Sequence, residues 1–386
     1  MEILEMTARR TPTANLERLN RLMDEAGLDA VVLRSGQNFT YLSGVVYPGT
    51  LARHQDLSDS TRAVLLVWPR HGTPVIVANK TAAGLARRDA WVEQVVSYEG
   101  YVQSPYEKVA QVLQDAGLGS ARVGLERDYV NVRDWELLRQ HAPALQMTDC
   151  TAVMDRVRWV KTDEEVRMIR RAADLLDDVY QEVFERIRPG DTERKIHADM
   201  MATCLSKGFE WAHGILNSDK NTIPYAGESD LVIAAGDVIR TDYVAYLHGY
   251  PGHQSRNVVI GEPSAEQRRD YEINLDIYRT VIDRCRVGAR VGDLYDYVMT
   301  EFQKNDWSYN SLLIGHGVGA WWHQQEPILR RGSDVLLEEG MVLALEPHKD
   351  HWHVQDMVLV GKGAPTLLSA KFNTDRPYIV PAKQPG

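Results

Sequence analysis

Apolar residues in the first 157 residues recur alternately at helical and at strand spacing. Over 15–26 they fall three and four apart, which predicts an amphipathic helix that ends at Gly27. A further helix is predicted over 106–115. Short continuous apolar runs predict buried strands at 30–33, 63–68, 75–78 and 123–125. This alternation predicts an α/β domain with a largely covered sheet.

The second half of the chain repeats one pattern of helices. Each copy opens with the spacing of a capping box, in which a hydroxyl residue precedes Glu or Gln by three positions. The two boxes are Thr162 with Glu165, and Ser264 with Gln267. The long helices that follow are predicted to end at Gly190 and Gly288, and shorter helices are predicted over 192–207 and 293–304. The repetition indicates an internal duplication of helix, helix and strands.

Two predicted strand segments of the second half carry histidines beside possible partners. The alternation between Asp242 and Tyr250 predicts a hairpin that folds back, so that Asp242 and His253 can meet. The second segment places His316 between two glycines, and His323 follows seven residues later. Glycine permits positive φ and close packing of the backbone around His316. This spacing favours a catalytic segment over a turn with two incidental histidines.

Two further predicted strands carry polar residues. The apolar run 340–345 ends at Glu346, and a carboxyl there is costly to bury unless it is paired or ligated. The segment 351–360 is also predicted to be a strand, and it carries His353 and Gln355. Four segments of the second half therefore carry the candidate chemistry.

Charge and cysteine content narrow the possible partners and location. The net charge is −10 and no long block of like charge occurs, which disfavours nucleic acid and anionic membranes as partners. Three widely separated cysteines, Cys150, Cys204 and Cys285, favour a reducing cytoplasm without a disulfide framework. No apolar run is long enough to span a bilayer, and the N-terminus is acidic where a signal peptide would be basic. A cytoplasmic protein that acts on a small molecule is expected.

The order and spacing of the four segments resemble the pita-bread family of methionine aminopeptidases, aminopeptidase P, prolidase and creatinase. The segment 38–44, Asn-Phe-Thr-Tyr-Leu-Ser-Gly, extends the resemblance to the two-domain creatinase and aminopeptidase P branch. The resemblance implies a small α/β creatinase-like N-terminal domain over 1–157 and a pseudo-symmetric α/β pita-bread catalytic domain over 158–386. It also implies a homodimer in which the partner's N-terminal domain completes the active site.

The chain departs from the family at its metal ligands. Metallopeptidases of this family hold two metal ions with two Asp, one His and two Glu. The resemblance places three of these ligands on Asp242, His316 and Glu346, whereas His253 replaces the second Asp and Gln355 replaces the second Glu. Since the ligands lose two of four negative charges, we expect no dinuclear cluster. Two alternatives remain: a metal-free site, as in creatinase, or a single Zn, Mn or Fe ion on His253, His316 and Glu346.

The resemblance also implies the roles of individual residues. His323 keeps the position that polarises the substrate carbonyl, and Tyr225 occupies the place of another pocket histidine. Trp321 and Trp322 follow the catalytic segment, and one of them is expected to line the pocket because neighbours on a strand face opposite sides. The catalytic candidates are Asp242, His253, His316, His323 and Glu346. The substrate-binding candidates are Tyr225, Trp321, Trp322, His353, Gln355 and, from the partner's first domain, Arg62.

The sequence favours a hydrolase that cleaves a C–N bond of amide, amidine or guanidino type in a small molecule, in the manner of creatinase. The alternatives are a mononuclear metal-dependent Xaa-Pro dipeptidase or aminopeptidase, a lyase of the same family, and an inactive homologue that serves as a binding protein. The retained His316, His323 and Glu346 argue against the last alternative.

Overall fold

The computed structural model describes residues 12–47, 62–223 and 227–382. The chain divides into two compact units, Met1–Arg158 and Trp159–Gly386. Among the described residues, no helix combines the length and the apolar character that crossing a bilayer requires.

The first unit is built on a six-stranded mixed sheet. Its strands are β1 (Ala30–Arg34), β2 (Leu65–Pro69), β3 (Val75–Asn79), β4 (Gln94–Tyr98), β5 (Arg122–Leu125) and β6 (Gln146–Asp149), in the order β4-β3-β2-β1-β5-β6. Its helices are α1 (Leu16–Glu25), α2 (Gln37–Ser43), α3 (Lys80–Asp89), α4 (Pro105–Asp115) and α5 (Val132–His141), and α6 (Thr151–Trp159) follows. The predicted helices and strands of this unit are confirmed. The pattern did not predict α2, α3, α5, α6, β4 or β6.

The second unit contains two five-stranded sheets and two helix pairs. The helices are α7 (Asp163–Phe184), α8 (Glu193–Ser206), α9 (Ala265–Arg284) and α10 (Val291–Lys304). One sheet holds β7 (Trp211–Ser218), β8 (Val238–Leu247), β9 (Tyr250–Gln254), β10 (Asn257–Ile260) and β16 (Tyr378–Val380). The other holds β11 (Leu313–Gly317), β12 (Gln325–Arg330), β13 (Val342–Leu345), β14 (Asp356–Leu359) and β15 (Thr366–Leu367). A single bridge between Ser255 and Gln355 joins the two sheets.

Both predicted capping boxes are present. The Thr162 side chain accepts a hydrogen bond from the Glu165 backbone, the Glu165 carboxylate accepts one from the Thr162 backbone, and Ser264 and Gln267 pair in the same way. The predicted ends of both helices were wrong. Helix α7 ends at Phe184 because the chain turns there, and the Arg188 N–H bonds the Asp191 side chain at 2.8 Å instead of continuing the helix.

The strand predicted over 351–360 was too long. Only Asp356–Leu359 pairs with β13, and the residues before it make single bridges to other parts of the unit. Backbone and side chains there bond across the two sheets; for example, the His353 N–H donates to Asn257 Oδ1 at 2.9 Å. These bonds between the sheets replace the regular ladder that a longer strand would form.

Candidate active site

The second unit encloses a cavity of about 180 Å³. All five predicted catalytic residues line it, and they come from both sheets and from the turn after β11. The lining residues are His213, Ile215, Asp242, Val244, His253, Ser311, Leu313, His316, His323, Gln324 and Glu346. Residues separated by more than a hundred positions in the sequence thus share one small space.

The hairpin of β8 and β9 brings Asp242 and His253 together, as the alternation predicted. His253 pairs with Val244, two residues from Asp242 on the same face of β8. Its Nε2 lies 3.2 Å from Asp242 Oδ1. Burial acts to raise the pKa of Asp242, but the hydrogen bond from the His253 ring holds that pKa well below its usual range.

The glycines around His316 permit close strand packing, as predicted. A Cβ at Gly315 would lie 2.3 Å from the Ala344 carbonyl oxygen of β13, and one at Gly317 would lie 2.5 Å from the Glu326 carbonyl oxygen of β12. The His316 ring donates through Nδ1 to the Gly317 carbonyl at 2.9 Å, so its Nε2 carries the lone pair. Burial lowers the pKa of His316 to about 3, which makes the ring neutral at physiological pH.

His253, His316 and His323 form an imidazole cluster. Each offers one ring nitrogen, and the three nitrogens lie within 4.8 Å of one another. The His323 ring centroid lies 4.6 Å from that of His253 and 5.7 Å from that of His316. The Tyr246 hydroxyl lies 3.2 Å from His323 Nδ1 and accepts the His323 backbone N–H at the same distance. Burial lowers the pKa of His323, so the cluster contains at least two neutral imidazoles.

Glu346 stands beside this cluster. Its Oε1 lies 3.8 Å from His316 Nε2, and its Oε2 lies 3.6 Å from His353 Nε2. Burial raises the pKa of Glu346 to about 8, the charge of Asp242 adds to the rise, and Arg240 opposes it. Arg240 is buried and donates through Nε to His353 Nδ1 at 3.1 Å. The sequence pattern gave no sign of this buried cation.

An aromatic shelf leads from solvent to the cavity. It consists of Trp211, His213, Tyr246 and Trp322. In the β7–β8 ladder Trp211 is paired with Tyr246, and the two rings stack with centroids 5.1 Å apart. His213, two residues further along β7, stacks on Trp322 at 5.8 Å and lines the cavity. Sequence reasoning missed β7 and therefore missed His213, because a lone histidine in a short apolar run carries no signal.

The other predicted substrate-binding residues lie in different settings. Trp321 and Trp322 occupy a turn rather than a strand, and Trp322 is the one that stacks on cavity residues. His353 and Gln355 are fully buried behind the cavity wall, where Gln355 Oε1 accepts from Ser255 Oγ at 3.1 Å. Arg62 belongs to the first unit and packs over the Tyr101 ring at 5.3 Å. Tyr225 lies outside the described residues.

Comparison with known proteins identifies both parts of the chain. Residues 15–160 match the model of the creatinase/prolidase N-terminal domain, and residues 167–362 match that of metallopeptidase family M24. An Xaa-Pro dipeptidase of Lactobacillus delbrueckii subsp. lactis is 26% identical over 343 residues, covering 86% of this chain and 89% of that protein. A creatinase of a Bacillus species is 25% identical over 386 residues, covering 94% of this chain and 85% of that protein.

Solved structures agree with this assignment of the fold. A prolidase from Thermococcus sibiricus superposes with a TM-score of 0.81 at 22% identity, covering 96% of this chain and 99% of that one. An X-Pro aminopeptidase from Thermotoga maritima gives 0.80 at 19% identity, covering 95% and 99%. The pita-bread resemblance and the two-domain α/β fold are confirmed. Since the M24 model covers just over half of the 386 residues, the chain belongs to metallopeptidase family M24 and is a hydrolase that acts on carbon–nitrogen bonds.

Proposed function

We propose that the chain hydrolyses the amide bond of a dipeptide or an equally small amide, in the manner of Xaa-Pro dipeptidases. One observation carries the proposal: a single small cavity holds the carboxyl groups of Asp242 and Glu346 together with His316 and His323. These are groups that can transfer protons and stabilise charge as water adds to a carbonyl carbon.

Glu346 is the residue that we assign to proton transfer. Its pKa is raised to about 8 while that of Asp242 is lowered, and two carboxyls whose pKa values are pushed apart divide the acid–base and charge-stabilising roles. In its ionised form, Glu346 takes a proton from water as the water oxygen bonds the carbonyl carbon. It returns that proton to the leaving nitrogen as the C–N bond breaks. Asp242 holds the His253 ring in place through their hydrogen bond.

The two-metal centre of the metallopeptidases does not fit these residues. Gln355 is neutral, and its Oε1 is already hydrogen-bonded to Ser255. Of the family's ligand carboxylates, only Asp242 and Glu346 remain. Arg240 adds a positive charge nearby, since its Nε donates to His353 Nδ1. Two divalent ions a few ångströms apart would repel each other with too little compensating charge. We therefore propose at most one divalent ion per chain.

The aromatic shelf supplies the proposed contact for the substrate's ring or side chain. Trp211, His213 and Ile215 lie at every second position of β7 and therefore share one face. This face extends about 13 Å, from Trp211 of the shelf to Ile215, which pairs with Asp242. Trp211 and Trp322 are 46% and 37% exposed, although each stacks on a neighbouring ring. Exposed indole faces at a cavity suit an apolar ring such as that of proline.

A second candidate is hydrolysis of an amidine or guanidino C–N bond without any metal, as in creatinase. Two observations favour it. A creatinase is among the relatives and matches 94% of this chain, and two of the family's ligand carboxylates are replaced here. Glu346 would then take the proton from water in the same way.

The two candidates are separated by offering the purified chain Xaa-Pro dipeptides, matched Xaa-Gly dipeptides and creatine in water enriched in heavy oxygen. We expect cleavage of Xaa-Pro dipeptides, with heavy oxygen in the new carboxyl group seen by mass spectrometry. Glu346→Gln is the inactive control, and Glu339→Gln on the surface is the active one. Cleavage of creatine alone would support the second candidate. Products without heavy oxygen would indicate elimination, and no turnover would contradict both.

A further inference from the structure

We propose that His253, His316 and His323 form a mononuclear zinc site of three imidazoles, with Glu346 outside the ligand set. This inference rests on the proposed function, since it concerns the same cavity. It differs from the two-His, one-carboxylate set that the sequence suggested, and it gives His323 a ligand role.

The three rings are arranged as zinc ligands usually are. A metal-binding histidine almost always uses its other ring nitrogen to bond a carboxylate, a carbonyl or a similar acceptor, which fixes the ring and its tautomer. His316 Nδ1 donates to the Gly317 carbonyl at 2.9 Å. His323 Nδ1 lies 3.2 Å from the Tyr246 hydroxyl. His316 therefore has Nε2 left for a cation, and so does His323 in the tautomer whose Nδ1–H donates to the Tyr246 oxygen.

His253 completes the set with a carboxylate contact. Its Nε2 lies 3.2 Å from Asp242 Oδ1, and its Nδ1 is buried with no hydrogen-bond partner among the residues that the structure describes. A carboxylate bonded to a ligand histidine is a common arrangement at zinc sites. The ring is 2% exposed, so a lone pair on the unpartnered nitrogen is shielded from water.

The spacing of the nitrogens matches one tetrahedral ion. One ring nitrogen of each histidine lies within 4.8 Å of one ring nitrogen of each of the other two. Zinc bonds imidazole at about 2.0–2.1 Å, which in a tetrahedral site separates the nitrogens by about 3.4 Å, so each would move inward by less than about 1 Å. Three protein ligands leave the fourth position open, as in catalytic zinc sites. Hard, oxygen-preferring ions such as magnesium are disfavoured by three nitrogen ligands.

Glu346 is placed as a neighbour of this site. Its Oε1 lies 3.8 Å from His316 Nε2, and its Oε2 is turned to His353 at 3.6 Å. This position leaves the carboxyl available for the proton transfer assigned to it above. Asp242, in contact with the His253 ring at 3.2 Å, supplies a negative charge beside the divalent ion without being its ligand.

The test measures metal binding without substrate. The full chain is stripped with phenanthroline and titrated with Zn²⁺ by calorimetry and with Co²⁺ by visible absorption. We expect one equivalent per chain and the intense visible bands of four-coordinate cobalt. His323→Asn should weaken zinc binding at least ~100-fold, more than the loss of an outer contact, whereas Glu346→Gln should change it by less than ~10-fold. Tyr246→Phe keeps all three ligands and should weaken binding ~10-fold.

Several results would overturn the zinc site. They are two equivalents of zinc per chain, no binding by the unaltered chain, or strong loss in Glu346→Gln with none in His323→Asn. Circular dichroism of each variant shows whether a loss of zinc affinity comes from misfolding. If His323→Asn does not fold, the zinc affinity of Tyr246→Phe is the deciding measurement. A chain that binds one zinc but cleaves no small amide would contradict the proposed function alone. A chain that cleaves dipeptides after stripping would contradict the zinc site alone.

Discussion

The protonation state of each carboxyl in the cavity depends on how deeply the group is buried and on which groups contact it. Asp242 and Glu346 are both carboxyls in the same small space, yet His253 stabilises the anion of Asp242, while burial favours the neutral form of Glu346. The difference arises from the β8–β9 hairpin, which supplies Asp242 with a hydrogen-bonded imidazole. The Glu346 carboxyl lies 3.8 Å from His316 Nε2 and 3.6 Å from His353 Nε2, beyond hydrogen-bond distance, and so its charge is less well compensated.

The assignment of Glu346 and His316 leads to a first prediction. Changing either residue to Ala should lower kcat by ~10²-fold or more, which is the scale of general acid–base catalysis. Steady-state kinetics on the best dipeptide substrate measures the effect. The matched control is Glu339→Ala, an exposed carboxyl that faces Lys362 on the surface. Near-normal kcat in both folded variants would contradict this site.

The shelf residue Trp322 leads to a second prediction. Removing its ring by Trp322→Ala should raise KM for an Xaa-Pro dipeptide more than it lowers kcat, because the indole contacts the substrate away from the reacting bond. One stacking contact is worth about 0.5–1.5 kcal/mol, which corresponds to roughly 2- to 13-fold in KM. Val287→Ala, also an exposed apolar side chain, is the control. A fall in kcat with unchanged KM would place Trp322 elsewhere in the reaction.

Glu126 in the first unit leads to a prediction on pH. Its carboxylate accepts hydrogen bonds from the Arg34 N–H and from Asn38 Nδ2, both at 2.7 Å, and burial raises its pKa to about 7. Because the folded state holds this proton more tightly than the unfolded state, its contribution to stability is present below pH 4.5 and is lost as pH rises through 7. The loss is about 3 kcal/mol at ~1.4 kcal/mol per pKa unit.

Hydrogen exchange of β1 and β5 amides measures this effect in the first unit. The free-energy difference between the unaltered chain and Glu126→Gln should be larger at pH 5 than at pH 8 by about 2.5 kcal/mol. Glu107→Gln, a change on the surface of α4, should show no such dependence. A difference that grows toward pH 8 would mean that Glu126 is ionised when folded at both pH values.

At the scale of elements, the site depends on how Arg256 joins helix and strands. Arg256 is fully buried after β9, and its guanidinium donates to Asp177 of α7 and to Asp356 of β14, both at 2.8 Å. It also donates to the Gln355 carbonyl at 2.7 Å. Arg256 thereby fixes the segment next to His253 against the sheet that carries His316.

We predict that Arg256→Met lowers the free energy of unfolding by about 3–5 kcal/mol, because it leaves two buried carboxylates without a cation. Arg256→Lys should recover only part of the loss, since an ammonium cannot reproduce the planar guanidinium's hydrogen bonds to Asp177, Asp356 and the Gln355 carbonyl together. Urea unfolding followed by circular dichroism measures both. Arg268→Met, an exposed change on α9, is the control. A loss below 1 kcal/mol would show that water compensates the carboxylates.

The elements also show which features of the site the sequence could predict. Local signals sufficed for the capping boxes, for the β8–β9 hairpin and for the glycines around His316, because each depends on residues close in the chain. Arg240 and His213 escaped prediction because their importance depends on strand pairing and on His353, which is 113 residues from Arg240. The predicted helix ends were wrong where a side chain, such as that of Asp191, accepts a hydrogen bond from a backbone N–H that would otherwise continue the helix.

At the scale of the whole molecule, the two units hold different residues of the proposed site. All the cavity residues belong to Trp159–Gly386, whereas Arg62 belongs to Met1–Arg158. The family resemblance implies a homodimer in which each cavity is completed by the first domain of the partner, and we propose that arrangement here. In a twofold-symmetric dimer, both sites would receive the same residue from the opposite chain.

Mixing two inactive variants tests this proposal. Glu346→Gln removes the proton-transferring group of its own chain, and Arg62→Ala removes the proposed contribution to the partner. In a mixed dimer, the site with an intact Glu346 receives the intact Arg62 of the other chain, so one site of two is complete. After unfolding and refolding at equal amounts, we expect about a quarter of the unaltered activity, because half of the dimers are mixed. Sedimentation velocity at the assay concentration should show only dimer. No gain on mixing, with Arg62→Ala inactive alone, would mean that Arg62 acts within its own chain; full activity of a monomer would remove the dimer from the mechanism.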